Sequence, residues 1–297
     1  MFIRSVIVCF FFQELISSSV LADPLVEAFD VAVRDAKRLL VIFTKECCDC
    51  EDCVEAEAII TAKTPELEDD FGISTFKVTS GVDLESRYGI TSRPSLLFFR
   101  DKIPALYDGP IHPDHIMEWL HQSLEPGVKS LNDQTFEHLT QAATGATTGN
   151  WLVVFFRYSC PKGNILRPVL EGLSPKIKLQ TNVATVDIET NPELVERFSI
   201  KDCPTVLFFR LGKMYKYEST KRDIKSLKHF TESLYRNMKA YSVPMPQSPF
   251  DKLTEAIADF AKEHRQVLLI GSTAALTAVY LSYKVLSLQK AKALKKE

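Results

Sequence analysis

The chain has 297 residues, of which 45% are hydrophobic and 25% charged, and its net charge is −2. This length allows two domains of ordinary size, and the near-neutral charge argues against a nucleic-acid partner. The charge is unevenly distributed, because residues 23–127 carry 10 basic against 21 acidic side chains and residues 128–240 carry 17 against 11. Domains of opposite charge could attract each other or bind different partners, although two solvated surfaces that had drifted apart would give the same pattern.

The segment 1–22 has the features of a secretory signal peptide. Arg4 supplies a positive charge, residues 6–12 supply most of an apolar stretch, and Val20-Leu21-Ala22 offers a small-residue cleavage site. An uncleaved anchor is the alternative, but the short apolar run favours cleavage after Ala22. The mature chain would then fold in a compartment where disulfides can form.

Helical and strand patterns alternate from residue 24 to residue 124. The predicted helices cover residues 24–37, 53–62, 84–88 and 113–124, and the predicted strands cover residues 39–43, 74–78 and 95–99. Residues 24–37 carry apolar side chains on one helical face, whereas residues 39–43 form a continuous apolar run typical of a buried strand. Strands that alternate with helices predict an α/β sheet.

The same pattern recurs further along the chain at one constant offset, which indicates an internal repeat. The matched residues, first copy before second, are Leu97–Arg100 with Leu207–Arg210, Pro94 with Pro204, Cys50 with Cys160, and Cys53 with Gly163. The second copy has predicted strands at 151–156, 183–186 and 205–209, and predicted helices that follow Cys160 through 173 and cover 192–198 and 223–234. The sequence therefore predicts one α/β sheet in each copy.

A proline-rich stretch and two further helical segments follow the second copy. Residues 241–265 contain this stretch and an amphipathic helix predicted over 251–265, whose apolar face could lie on lipid or on a domain. The segment Val267–Tyr283 carries no charge, and its length is at the short limit for a spanning helix. We expect a transmembrane helix over 266–284 and a lysine-rich cytosolic tail over 285–297, with a buried core helix as the alternative.

The motifs of both copies resemble the thioredoxin fold and, more closely, the protein-disulfide-isomerase family. The resemblance is carried by VVFFRYSCPKGNILRPVLEGLS in the second copy and by ESRYGITSRPSLLFFRDKIPALYDG in the first, and it covers residues 24–238. It implies two tandem thioredoxin-like domains, at 23–127 and 128–240, in a protein of the transmembrane type. It also implies that Pro94 and Pro204 are cis, face the cysteine sites and, with Arg93, contact substrate.

The run from Cys47 to Cys53 contains two overlapping Cys-x-x-Cys motifs, 47/50 and 50/53. The repeat favours the second, because the interval from Cys53 to Pro94 equals the interval from Gly163 to Pro204. A cysteine at the start of a helix has its thiolate favoured by the helix dipole, and a second cysteine one turn later can attack the mixed disulfide. Cys50 is the expected nucleophile and Cys53 the resolving thiol.

Several features of this motif favour weak catalysis or a static disulfide. The intervening pair is Glu51-Asp52 rather than the Gly-His common in the isomerases, and no acid lies on the preceding strand. The acidic side chains should disfavour the thiolate and stabilise the disulfide. Cys47 and Cys48 could be free, bonded elsewhere or able to exchange with Cys50. Zinc is a further alternative, but ligands packed into so short a run with no second pair argue against a metal.

The second copy keeps Cys160 but has Gly163 in place of the resolving cysteine. Cys203 directly precedes Pro204 and, in the fold implied by the resemblance, lies beside Cys160. The two cysteines could be bonded, or Cys160 could hold clients in a mixed disulfide, or both could be inert and buried.

The sequence thus predicts a membrane-anchored thiol–disulfide oxidoreductase or isomerase of the endoplasmic reticulum, single-pass and type I, with its domains in the lumen. Its expected partners are luminal client polypeptides, and we expect neither a cofactor nor a metal. The alternative is a redox-inactive chaperone or adaptor tethered to the membrane. A luminal calcium buffer is a weaker alternative, because the acidic residues form no ordered loop motif.

Overall fold

The computed structural model describes residues 23–45, 50–145, 148–247, 249–266, 276–284 and residue 286. The chain divides into two compact units, Met1–Pro244 and Met245–Glu297. Within the first unit the strands form two sheets, and we call the parts around them the first lobe (residues 24–122) and the second lobe (residues 129–242).

The first lobe is a four-stranded mixed sheet with helices on both faces. Its strands are β1 (Arg38–Phe43), β2 (Ser74–Val78), β3 (Ser95–Arg100) and β4 (Ile103–Leu106). Its helices are α1 (Pro24–Asp35), α2 (Glu51–Phe71), α3 (Val82–Tyr88) and α4 (Pro113–Gln122). The strand order is β2-β1-β3-β4, in which β1 runs parallel to β2 and antiparallel to β3.

The central strand β1 explains why both faces of this sheet are covered. Its side chains alternate between two apolar clusters, with Leu40 and Ile42 in one and Leu39, Val41 and Phe43 in the other. A strand with five consecutive apolar residues after Arg38 can only be accommodated where helices pack on both sides. The chemistry-bearing residues are consequently confined to the ends of the strands.

Helix α2 is longer than the sequence predicted, so the predicted end at residue 62 is wrong. The helix continues through Pro65 to Phe71 and ends at Gly72, whose φ of 60° closes the last turn. A proline inside a helix costs about 3 kcal/mol, but complete burial of Leu67 contributes about 1.5–3 kcal/mol and Phe71 packs on the same cluster. Tertiary packing therefore overrides the local signal.

The second lobe repeats this plan with a six-stranded sheet. Its strands are β5 (Lys129–Leu131), β6 (Asn150–Phe156), β7 (Thr181–Asp187), β8 (Thr205–Arg210), β9 (Lys213–Lys216) and β10 (Tyr241–Ser242). Its helices are α5 (Thr135–Thr140), α6 (Pro161–Ile177), α7 (Pro192–Arg197) and α8 (Ile224–Glu232), and a 3₁₀ turn covers Leu234–Asn237. The strand order is β10-β9-β8-β6-β7-β5, with β6 parallel to β7 and antiparallel to β8.

Helix α6 of the second lobe lies against the edge strand β4 of the first. The backbones approach so closely that a Cβ atom at Gly172 would lie 2.1 Å from the carbonyl oxygen of Leu106. The Lys176 ammonium donates to the carbonyl oxygen of Asp108 at 2.8 Å. The two lobes accordingly cluster as one unit, and the division at residue 127 inferred from the sequence stays a prediction.

A buried ion pair crosses this interface. The Arg100 guanidinium at the end of β3 donates to the Glu171 carboxylate on α6, and the two side chains are only 2% and 6% exposed. Burial raises the pKa of Glu171 and lowers the pKa of Arg100, because removal from water disfavours each charge more than their attraction favours it. The Gly127 N–H also donates to Glu171, at 3.0 Å.

The second compact unit contains α9 (Pro249–Glu263), close to the helix predicted over 251–265. Its apolar residues Leu253, Ile257 and Phe260 are exposed. No helix within the described residues is long and apolar enough to span a bilayer. Residues 267–275, the N-terminal half of the predicted transmembrane segment, lie outside the described residues, as do the predicted signal peptide and, apart from Leu286, the predicted tail.

Candidate active site

The first cysteine site is a disulfide at the start of α2. Cys50 is the residue that precedes the helix, Cys53 lies in the first turn, and their sulfurs are bonded. The Cys53 and Val54 N–H groups both donate to the Cys50 carbonyl oxygen. Cys50 is half-buried, whereas Cys53 is only 1% exposed. A partner molecule can therefore reach Cys50 while Cys53 stays behind it.

A cis peptide bond joins Arg93 to Pro94 directly before β3, as the family resemblance implies. The Arg93 side chain points into the lobe and is 12% exposed. Its guanidinium donates to the Glu85 carboxylate at 2.5 Å and to the carbonyl oxygens of Thr44 and Thr79. These three acceptors occupy the Arg93 side chain, and the predicted contact of Arg93 with substrate stays a prediction.

Acidic side chains surround the first disulfide. Glu51 and Asp52 occupy the first turn of α2. Their charge is favourable for the helix dipole but unfavourable for a thiolate at the same end. Glu57 follows one turn after Cys53, and it forms an ion pair with Lys77 of β2 at 2.7 Å.

Sequence reasoning missed this ion pair, because its two members lie on different elements, α2 and β2. The spacing of one helical turn from Cys53 to Glu57 could have suggested only that this carboxylate lies on the side of the buried cysteine. The hydrogen bond from Lys77 lowers the pKa of Glu57. In the sheet, Lys77 pairs with Ile42 on the strand that leads to the cysteines. The Glu57–Lys77 ion pair thus places the Glu57 carboxylate near strand β1, which has no acidic residue of its own. Cys47 and Cys48 lie outside the described residues, so their role stays a prediction.

The second cysteine site brings together Cys160 and Cys203, which the sequence predicted to be neighbours. Cys160 precedes α6 as Cys50 precedes α2, and a cis bond joins Cys203 to Pro204. Both cysteines are free thiols. The Cys160 sulfur donates to the Cys203 carbonyl oxygen at 3.3 Å. Burial, followed by a hydrogen bond with Cys160, raises the pKa of the Cys203 thiol to about 11.

Gly163 occupies the helix position that Cys53 has in the first lobe, and there is little room for a side chain there. A Cβ atom at Gly163 would lie 3.1 Å from the Phe156 Cβ. The strand pairings match Phe43 to Phe155, so the first lobe has the smaller Thr44 where the second has Phe156. Because the close contact is to the Cβ atom, which Thr44 also has, it limits the room at Gly163 without tracing the absent cysteine to the aromatic ring.

The charges near the second site are mainly positive. No acid lies in the first turn of α6, and Arg157 and Lys162 flank Cys160 in the sequence. The nearby acids are engaged, because Glu189 accepts from the Ser159 hydroxyl at 2.8 Å and Asp202 lies 4.0 Å from the Lys216 ammonium. This electrostatic environment is opposite to that of the first site.

A cavity of about 410 Å³ extends from this end of the second lobe towards the first. Tyr158 and Arg167 line it, with the guanidinium 5.4 Å from the centre of the tyrosine ring. Glu171 and Asp187 also line it, together with Ile103 of the first lobe. The cavity therefore combines charges of both signs with an aromatic ring.

Comparison with protein families matches residues 67–233 to a family described as a thioredoxin-like domain. The matched segment is more than half of the chain. It includes both cis prolines, Cys160 and Cys203, and it begins after Cys53. The match therefore covers the second cysteine site and excludes the first disulfide.

Curated proteins and solved structures give further similarities. A "Thioredoxin domain-containing protein" of Theileria parva is 39% identical over 137 residues, which are 46% of this chain and 62% of that protein. A "Probable protein disulfide-isomerase A4" of Caenorhabditis elegans is 25% identical over 160 residues, which are 52% of this chain and 26% of that one. This chain thus spans less than two thirds of either relative. A crystal structure of full-length ERdj5 has a TM-score of 0.39 at 18% identity and covers 67% of this chain and 29% of its own.

Proposed function

The chain belongs to the thioredoxin-like domain family, and on that premise we propose that it is a thiol–disulfide oxidoreductase that acts on client polypeptides. The observation that carries the proposal is the Cys50–Cys53 disulfide at the start of α2, with Cys50 accessible and Cys53 buried. One accessible and one buried cysteine, separated by one helical turn, are the arrangement that a two-step exchange needs.

The exchange runs in two steps when the pair is reduced. The Cys50 sulfur attacks a client disulfide, forms a mixed disulfide and releases one client thiolate. Cys53 then attacks the Cys50 sulfur, which restores the disulfide and releases the second client thiolate. The reverse sequence oxidises a client dithiol. Because Glu51 and Asp52 disfavour negative charge on sulfur, we expect the oxidised form to be more stable than in a strong oxidant.

We further propose that the protein is anchored in the membrane of the endoplasmic reticulum, with both lobes in the lumen as tandem thioredoxin-like domains. The sequence supports this through its signal-peptide-like segment 1–22 and the uncharged segment Val267–Tyr283. The similarity to a protein named as a disulfide isomerase supports the same compartment. Fractionation of cells that express the full chain, with carbonate extraction and protease protection, tests the anchor and its orientation.

A redox titration of the full chain in detergent tests the activity. A variant with Cys160→Ser and Cys203→Ser is equilibrated in glutathione buffers, its thiols are alkylated, and mass spectrometry measures the oxidised fraction at each cysteine. We expect Cys50 and Cys53 to titrate together, near the poise of the endoplasmic reticulum of about −180 to −210 mV. Cys53→Ala should then accumulate mixed disulfides between Cys50 and clients.

A pair that stays oxidised far below this range, or a bond from Cys50 to Cys47, would refute the oxidoreductase. The protein would then be the membrane-tethered adaptor. Two features favour this alternative, the acidic side chains at the first site and the glycine at position 163 in place of a resolving cysteine. Cys50→Ala separates the two functions, because an adaptor keeps its partner when this sulfur is lost and an oxidoreductase loses its activity.

A further inference from the structure

We propose that Cys160 and Cys203 form a second dithiol–disulfide site, in which Cys160 attacks the disulfide of a client polypeptide and Cys203 resolves the mixed disulfide. The site is separate from the Cys50–Cys53 pair and goes beyond the function proposed for it. It needs no second cysteine on helix α6, because the resolving thiol comes from the segment that precedes the cis proline.

The two cysteines are neighbours in the fold. The Cys160 sulfur lies 3.3 Å from the Cys203 carbonyl oxygen, and Cys160 also contributes to the raised pKa of the Cys203 thiol. A thiol at the start of a helix and a thiol directly before a strand are thereby placed side by side, which the proposed disulfide requires.

The position of Cys160 at the start of helix α6 assigns the two roles, and electrostatics supports the assignment. Both residues are half-buried, so neither is sealed in the core as an inert cysteine would be. Cys160 stands at the start of the long helix α6, where backbone N–H groups stabilise negative charge. The Cys203 thiol, with a pKa of about 11, stays protonated at neutral pH. It is therefore the resolving thiol, which attacks the mixed disulfide after Cys160 has formed it.

The reaction balances without any further reagent. A bond forms between the Cys160 sulfur and one client sulfur, the client S–S bond breaks, and the other client sulfur leaves as a thiolate. Cys203 gives its proton to solvent and attacks the Cys160 sulfur, which releases the second client sulfur as a thiolate. The client disulfide gains two electrons, the cysteine pair loses two, and the reverse sequence oxidises a client dithiol.

The test uses the full chain in detergent with Cys50→Ser and Cys53→Ser, so that the first site is silent. The reduced protein is mixed with oxidised glutathione, quenched by alkylation at intervals and digested for mass spectrometry. We expect a short-lived glutathione adduct on Cys160, followed by a peptide in which Cys160 and Cys203 are joined. Adding Cys203→Ser should lengthen the lifetime of the adduct by about tenfold or more, because nothing remains to resolve it.

The reciprocal variant, Cys160→Ser, should leave Cys203 almost unmodified at neutral pH, and unchanged thermal unfolding of both variants verifies that they fold. Independent glutathione adducts on Cys160 and Cys203 with no joined peptide would overturn the proposal, and so would an adduct whose lifetime does not depend on Cys203. Because Cys50 and Cys53 are absent from this experiment, either result leaves the function proposed for the first site untouched.

Discussion

The two lobes place a cysteine at the same point of the same scaffold and surround it with opposite chemistry. In the first lobe, Cys50 is bonded to Cys53 on its own helix, among acidic side chains. In the second lobe, Cys160 is a free thiol whose neighbour is Cys203 on the strand side, with mainly basic side chains around it.

The comparison teaches that the partner of the helix-start cysteine is not tied to one position. The helix position is Cys53 in one lobe and Gly163 in the other, while the residue before the cis proline is Arg93 in one and Cys203 in the other. Each lobe has a cysteine at one of these two positions, on the helix or before the cis proline, and a residue without a thiol at the other. The fold thus offers two routes by which a second sulfur can reach the first.

The largest expected effect concerns the interface that makes the two lobes one unit. Arg100→Met leaves the buried Glu171 carboxylate without its cation, so we expect the free energy of unfolding to fall by about 3–5 kcal/mol. Denaturant unfolding of the full chain, followed by tryptophan fluorescence, measures the change.

Arg210→Met provides the matched control, because Arg210 ends β8 as Arg100 ends β3 but donates to the uncharged Asn150 side chain, at 3.1 Å. Its loss should cost about 1 kcal/mol. Adding Glu171→Gln to Arg100→Met should recover part of the loss. Equal costs for the two arginine variants would mean that the ion pair does not join the lobes.

The next prediction restores the missing cysteine of the second lobe. Gly163→Cys introduces a Cβ atom 3.1 Å from Phe156, so we expect a net loss of about 1–2 kcal/mol after the gain in helix propensity. Mass spectrometry of the oxidised protein should find Cys160 divided between the introduced cysteine and Cys203. Gly163→Ala is the control for crowding, and a variant as stable as the parent would show that Phe156 does not exclude the cysteine.

Charge removal at the first site has a smaller effect. Glu51→Gln with Asp52→Asn removes two negative charges beside Cys50, which makes its thiolate less unfavourable. We expect the reduction potential of the Cys50–Cys53 pair to rise by about 30 mV, equivalent to about 1.4 kcal/mol. The glutathione titration measures it, with Lys162→Gln in the second lobe as a control that should leave this potential unchanged. An unaltered or lower potential in the acidic-site variant would show that these charges do not stabilise the disulfide.

The smallest effect is the contribution of Cys160 to the pH dependence of Cys203. Its raised pKa means that little thiolate exists at neutral pH, so the rate of alkylation should increase by about tenfold per pH unit up to pH about 11. Cys160→Ser removes the hydrogen-bonding thiol but leaves the burial, and should lower this midpoint by less than about one unit. A midpoint near the ordinary value of 9.0 in the parent protein would contradict the burial of this thiol.

The repeat made the central elements predictable, because β1, β3, β6 and β8 are continuous apolar runs. The hairpin strands β4 and β9 were missed because their turns give weak signals. The turn before β4 is Asp101-Lys102, with positive φ at both residues and no glycine, and the turn before β9 is Leu211-Gly212. Such turns are usually recognised from Asn-Gly or Asp-Gly pairs.

The candidate sites were also predictable only in part. Spacing to the prolines sufficed to predict which cysteines start α2 and α6, and the family resemblance placed Cys203 beside Cys160. Nothing in the sequence indicated that Arg93 turns inward to the carbonyl oxygens of Thr44 and Thr79, or that Arg100 of the first lobe reaches Glu171 of the second. These contacts depend on how loops and lobes pack, which local patterns do not encode.

The close fit of α6 on β4 also has a consequence for biosynthesis. Strand β4 is an edge strand, and an uncovered edge can pair with strands of other chains and start aggregation. Gly172 lets the helix lie flush on that edge, but the ribosome completes β4 at Leu106 well before it reaches α6 at 161–177. During that interval the nascent first lobe has an open edge. We therefore expect truncation before α6 to yield an aggregation-prone fragment.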